Sequence, residues 1–123
     1  MRNTNVRNMV LASLLVLSKV AFAQDISAGK ILYQECAACH SINPGENQVG
    51  PSLSGIDGRR AGTLEGFRYS NAMKKSGITW NVESLNQFIA DPQALVSGGR
   101  MPYSGMPSEV DRKNLIAYLK TLH

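Results

Sequence analysis

The amino-acid sequence predicts an all-α fold of three to five helices joined by long loops, and three observations predict it. Apolar residues recur at helical spacing near both ends of the chain, over about Asp25 to Cys36 and again from Ser108 to Leu122. No segment alternates apolar and polar residues as a half-buried strand would. Residues 41–68 form a long irregular tract that holds six of the 11 glycines: Gly45, Gly50, Gly55, Gly58, Gly62 and Gly66. A loop of that length is foreign to an ordinary compact domain, but it suits one that wraps a flat group. Backbone lies close to such a group only where side chains are small or φ is positive.

At the amino terminus Arg2 and Arg7 precede the apolar run Met9 to Leu17, and the segment ends in Ala21-Phe22-Ala23. A basic start, a run too short to span a membrane, the interrupting Lys19 and a small-x-small ending describe a secretory signal peptide. Cleavage is expected between Ala23 and Gln24; an uncleaved anchor is the competing reading. The expected organisation is therefore a leader over residues 1–23 and one small domain over 24–123, with a modest core of its own. The leader takes Arg2, Arg7 and Lys19 from the 13 lysines and arginines and none of the nine acidic residues, so the processed chain has 10 basic against nine acidic side chains, a net charge of +1. That near-balance argues against a nucleic-acid partner or an anionic membrane surface, and no membrane span remains after processing.

The first helix of the processed chain is expected over about Asp25 to Cys36, with Asp25 or Ser27 as cap and Ile31, Leu32 and Tyr33 as apolar positions. Gly29 inside it costs about 1 kcal/mol of helix propensity, which close approach of a second helix would explain. The candidate partner starts at Ser108, where Ser108 and Asp111 resemble a capping box, and continues with Leu115, Tyr118, Leu119 and Leu122 as a core seam. Shorter helices are expected near Ser70 to Lys75, ending at Gly77, and over about Asn81 to Ala90, with Leu85, Phe88 and Ile89 on one face and Asp91-Pro92 as the stop.

Cys36-Ala37-Ala38-Cys39-His40 identifies the flat group. Two thiols three positions apart followed by an imidazole match the covalent haem attachment sequence C-x-x-C-H. On one helical turn each sulfur can form a thioether with a porphyrin vinyl group, while His40 turns a ring nitrogen to the iron. A redox dithiol would want a βαβ setting, and a structural zinc site would want four ligands where the chain offers two cysteines and two histidines. A Cys36–Cys39 disulfide would close too small a loop to stabilise much. Covalent haem attachment takes place outside the bacterial cytoplasm, so export to the periplasm and this motif agree. Two haem propionates bring the expected holoprotein close to neutral or slightly negative.

The iron needs a second axial ligand. His123 is the terminal residue, and Met1 and Met9 leave with the leader, so the thioethers of Met73, Met101 and Met106 remain. Met101 and Met106 both stand before proline in the segment 98–107, and each has packing in the core as its plain alternative.

Over essentially the whole processed chain the residues resemble class I cytochrome c, of the mitochondrial-like and bacterial cytochrome c2 type. The resemblance rests on Cys36 to His40, Val49-Gly50-Pro51-Ser52-Leu53-Ser54-Gly55, Gly58-Arg59-Arg60-Ala61-Gly62, Tyr69-Ser70-Asn71-Ala72, Ser76-Gly77-Ile78-Thr79-Trp80, Gly98-Gly99-Arg100-Met101 and Leu115-Ile116-Ala117-Tyr118-Leu119-Lys120. It implies one haem c held through Cys36 and Cys39, with His40 and Met101 as axial ligands and Met106 as a neighbouring filler. It further implies that the carbonyl of Pro51 accepts a hydrogen bond from the outer nitrogen of His40, fixing ring and tautomer. Arg59, Tyr69 and Trp80 are by the same resemblance the groups around the buried propionates; an exposed arginine and two core aromatics are the plain alternative.

The chain also departs from that pattern. Phe88 stands where relatives often have a tyrosine that contacts the methionine sulfur, Met73 where asparagine is common, and Gly99 where a threonine often meets a propionate. Gln93 and Ala94 replace lysines that mitochondrial members use for docking, so a lysine ring is not expected at the partner face. Arg68, Lys74, Lys75 and Arg100 are the basic candidates for it.

The expected function follows from coordination. An iron closed on both axial sides has no position for substrate, which leaves outer-sphere electron transfer, and thioether ligation raises the potential by favouring the ferrous state. The expected protein is no enzyme but a soluble, monomeric one-electron carrier with transient partners: a membrane oxidoreductase, a terminal oxidase or reductase, or a dehydrogenase. A dedicated haem subunit of one periplasmic dehydrogenase is the alternative. A peroxidase or gas binder ranks below both, because it needs an open iron.

Overall fold

The computed structural model describes Val16 and residues 23–123. The expected leader therefore lies, Val16 and Ala23 aside, outside the described residues. Among the described residues six helices follow one another: α1 (Ile26–Leu32), α2 (Gln34–Ala37), α3 (Asn71–Lys75), α4 (Val82–Ala90), α5 (Pro92–Leu95) and α6 (Glu109–Leu119). Among the described residues there is no strand, only an isolated antiparallel bridge between Arg60 and Thr79. No described helix is long and apolar enough to cross a membrane.

The frame of the fold is the crossing of α1 and α6. Asp25 caps α1, its Oδ1 accepting from the Ala28 N–H at 3.0 Å, while its own N–H donates to Asn114 Oδ1 at 2.9 Å. A Cβ built on Gly29 would collide with the Asn114 carbonyl, so this glycine is the close contact that the sequence implies. Tyr33 packs on Tyr118 with ring centroids 5.6 Å apart. Leu115, Tyr118 and Leu119 are buried as the spacing predicts, and Ile116 is buried with them; Leu122 only packs against the edge of this core. The single expected helix from Asp25 to Cys36 is resolved into α1 and α2 by a break at Tyr33, which keeps helical φ and ψ of −56° and −22°.

Capping decides the other ends. Ser108 Oγ accepts from the Asp111 N–H at 3.2 Å, and Asp111 makes no return bond, so α6 has half a capping box. The full box is at α4, where Asn81 and Ser84 exchange backbone and side-chain bonds, both at 2.9 Å. Asp91-Pro92 does end α4, but it also begins α5: Asp91 Oδ1 accepts from the Ala94 N–H at 3.2 Å and Pro92 takes the first helical position. A proline there forfeits only an N–H that has no helical partner, which is why one dipeptide serves as both stop and start.

The glycine-rich tract 41–68 is stitched to the helices by its own backbone. The Gly50 N–H donates to the Cys39 carbonyl at 2.8 Å, Leu53 to Ser41 at 2.9 Å, and Gly55 to Leu122 at 2.9 Å. Ser52, 1% exposed, donates from Oγ to the Asn43 carbonyl at 2.6 Å. These bonds hold the carbonyl of Pro51 beside the end of α2.

Candidate functional site

A cavity of about 340 Å³ opens between the end of α2, the tract around residues 49–53, Tyr69, α4 and the segment 100–103. Cys36, Cys39, His40, Pro51, Arg59, Tyr69, Trp80 and Met101 all line it. The motif itself occupies one helical turn: Cys39 N–H donates to the Cys36 carbonyl at 3.0 Å and His40 N–H to the same carbonyl at 2.9 Å. No disulfide joins the two sulfurs. Burial, then the Glu35 carboxylate and Cys39, push the Cys36 thiol up to about 11, the opposite of what a redox dithiol needs. Among the described residues no cluster of three or more histidines, cysteines and carboxylates could hold a metal ion without a porphyrin.

His40 Nδ1 lies 2.7 Å from the Pro51 carbonyl. Only a protonated Nδ1 makes that bond, so the neutral ring presents an unprotonated Nε2 as a metal ligand. Burial lowers the pKa of His40, the Pro51 carbonyl pulls the other way, and the Arg59 charge lowers it again. The carbonyl of His40 is in turn held by the Tyr33 hydroxyl at 2.7 Å. Gly50 completes the cradle: a Cβ there would meet the imidazole itself. The sequence marks Gly50 only as a residue of the wrapping loop, since the contact that seats the ring forms between segments ten positions apart.

Arg59 is half-buried on the cavity wall, and burial lowers its pKa. It donates to the carbonyls of Ser52 at 2.9 Å and Ser54 at 3.3 Å but pairs with no acid; among the described residues the one ion pair is Lys113–Glu109. A half-buried cation without a counter-ion is an invitation to an anion such as a propionate. Trp80, 6% exposed, packs against Phe88 with ring centroids 5.0 Å apart and planes tilted by 54°, and its N–H has no bonded partner among the described residues. Tyr69 packs edge-on against Phe67 at 4.8 Å; burial raises its pKa and the Arg59 charge opposes that.

The methionines separate by position. Met101 is half-buried and lines the cavity, as does Met73 from α3, whereas Met106 is 5% exposed within the core and does not line it. Two residues that sequence reading missed also lie on the cavity wall: Tyr103 donates from its hydroxyl to Glu35 Oε2 at 2.9 Å, across 68 positions of sequence. No local pattern signals a contact that long in sequence.

The donor set fits a haem c: a thiol pair on one helical turn, a neutral imidazole with one nitrogen already engaged, a thioether, and an unpaired guanidinium on the wall of a largely apolar cavity.

A family model described as Cytochrome c matches residues 26–123. The cytochrome c2 of Blastochloris viridis is 44% identical over 117 residues, covering 93% of this chain and 92% of the relative. The cytochrome c2 of Rhodoblastus acidophilus is 49% identical over 98 residues, covering 79% and 92%. Among solved structures, cytochrome cH from Methylobacterium extorquens superposes with a TM-score of 0.75 at 42% identity, covering 79% of this chain and 98% of that one.

Proposed function

The chain belongs to the cytochrome c family, carrying one covalent haem c on Cys36 and Cys39, and from that premise we propose that it shuttles single electrons between redox partners of a periplasmic respiratory or dehydrogenase chain. The observation that carries the reading is that an imidazole and a thioether, His40 and Met101, line one cavity together with the cysteine pair. Bound haem c supplies an iron that cycles between the ferrous and ferric states.

In this reading the protein residues hold that iron and control what reaches it. His40 ligates through Nε2, kept in that tautomer by the Pro51 carbonyl. Met101 would hold the iron as its second protein ligand, which would leave substrate no coordination position and make the protein a carrier rather than an enzyme. Arg59, Tyr69 and Trp80 surround the propionates. A leader over residues 1–23 delivers a single soluble domain, 24–123, to the periplasm, where monomeric protein meets its partners briefly.

Carbon monoxide mixed with the reduced holoprotein at neutral pH tests the closed iron. Little or no binding is expected, and rapid, complete binding would turn the reading toward a gas binder or peroxidase. Oxidation and reduction kinetics against candidate membrane complexes at several salt concentrations identify the partners, and copurification with one dehydrogenase would favour a dedicated subunit.

A further inference from the structure

The segment that carries Met101 is tied firmly at both ends and hardly at all between them. At its start the Gly99 N–H donates to the Val96 carbonyl at 3.0 Å, and Gln93 bonds the Gly99 carbonyl at 2.9 Å. At its end the Met106 N–H donates to the Ile89 carbonyl at 2.8 Å, while Arg112 donates to the carbonyls of Met106 and Pro107, both at 2.8 Å, and to Asn86 at 2.8 Å. Between these anchors, the described backbone groups of Met101 to Gly105 make no backbone–backbone hydrogen bond. One side chain within that stretch makes a long-range bond at the cavity wall, the Tyr103 hydroxyl donating to Glu35 at 2.9 Å. Glu35 sits beside Cys36 in α2, on the element that bears the haem attachment turn.

We propose that the Tyr103–Glu35 hydrogen bond is a latch that positions Met101, fastening the free middle of its segment to the haem-bearing helix and setting how often the sulfur leaves the iron. The proposal rests on Met101 being the axial ligand. Its physical basis is local: backbone bonds restrain both ends of the segment, so opening of the middle is opposed by side-chain packing, by Arg100 donating to the Tyr69 carbonyl at 3.1 Å beside Met101, and by the Tyr103–Glu35 bond, the charge-assisted contact that reaches α2. Both residues are positioning residues, since neither is offered as a ligand.

Imidazole added to the ferric holoprotein can enter only when the methionine sulfur is off the iron, so its binding rate reads the opening. Tyr103→Phe, Glu35→Ala and the double variant should each bind imidazole roughly fivefold faster, the expected effect of losing one partly exposed hydrogen bond to a charged group. The double variant should be no faster than either single one, because both changes remove the same bond. The denaturant midpoint should fall by no more than the same increment, because the bond is absent from the unfolded chain as well as from the opened segment. Equal rates in parent and Tyr103→Phe would overturn the latch, as would effects that multiply in the double variant, or a midpoint that falls by far more than the faster entry accounts for. Met101→Ala is the control for the underlying reading: if the thioether-to-iron absorption band survives it, Met101 is not the ligand and the latch falls with it; if the band is lost, the imidazole rates judge the latch alone.

Discussion

The carbonyl of Pro51 accepts a hydrogen bond from His40 Nδ1 at 2.7 Å, joining the glycine-rich loop to the last residue of the attachment motif. A proline's own carbonyl in a loop stitched by backbone bonds moves little, so the ring it holds keeps one tautomer and one orientation. The loop therefore helps to hold His40 in place rather than merely covering the cavity.

Gly50→Ala should disturb that ring directly, because the new methyl group would occupy the space of the imidazole. The expected result is a lower yield of holoprotein and a shifted haem spectrum, with loss of stability of roughly 1–3 kcal/mol from overpacking. A holoprotein with unaltered spectrum and denaturation midpoint would show that the loop yields more easily than its backbone bonds suggest.

Met101→Ala should abolish the thioether-to-iron band and lower the reduction potential, whereas Met106→Ala should keep the band. Met106 is 5% exposed in the core, so its truncation should cost about 2–5 kcal/mol of stability instead. The reverse pattern of band and potential would exchange the roles of the two methionines.

Gly29→Ala tests the helix crossing. Alanine improves helix propensity by about 1 kcal/mol, but here its methyl group runs into the Asn114 carbonyl, a backbone atom that cannot rotate away. Net destabilisation of roughly 1–3 kcal/mol in a urea titration is expected, and a gain in stability would mean that α1 and α6 can separate at little cost.

Replacing Cys36 and Cys39 with Ser should leave any bound haem extractable by acidified solvent. Pigment that stays with the polypeptide would contradict attachment through these two sulfurs.

Glu46 supplies a pH test. Hydrogen bonds from Asn43 and Ser41 hold its carboxyl below the ordinary carboxylate range. A depressed folded-state value means that its contribution is fully present above the carboxylate range of the unfolded chain and fades as pH falls through the folded value. Between roughly pH 5 and 3 the parent protein should lose slightly more stability than Glu46→Gln, and identical profiles would show that these exposed bonds do not persist in solution.

Much of this site was legible in the order of residues. Attachment chemistry needs two thiols and an imidazole on one helical turn, so Cys36, Cys39 and His40 declare themselves by spacing alone. Gly29 announces a close helix contact because nothing else excuses a glycine there, and the apolar residues after Ser108 repeat with the helical period that their burial demands. Asp91-Pro92 was read as a stop only, because the sequence does not say whether the chain turns away after a capped proline or coils again into α5.

What the chain settles by itself is thus the cofactor and the helices that are written in local pattern, since thioether spacing and helical periodicity are properties of neighbours in sequence. The division of Met101 to the cavity wall and Met106 to the core, the seating of His40 against Gly50, the guanidinium of Arg59 left without an acid, and the bond from Tyr103 to Glu35 were decided by tertiary structure. Each depends on which distant segments meet, and packing settles that only when the whole chain has closed around its cavity.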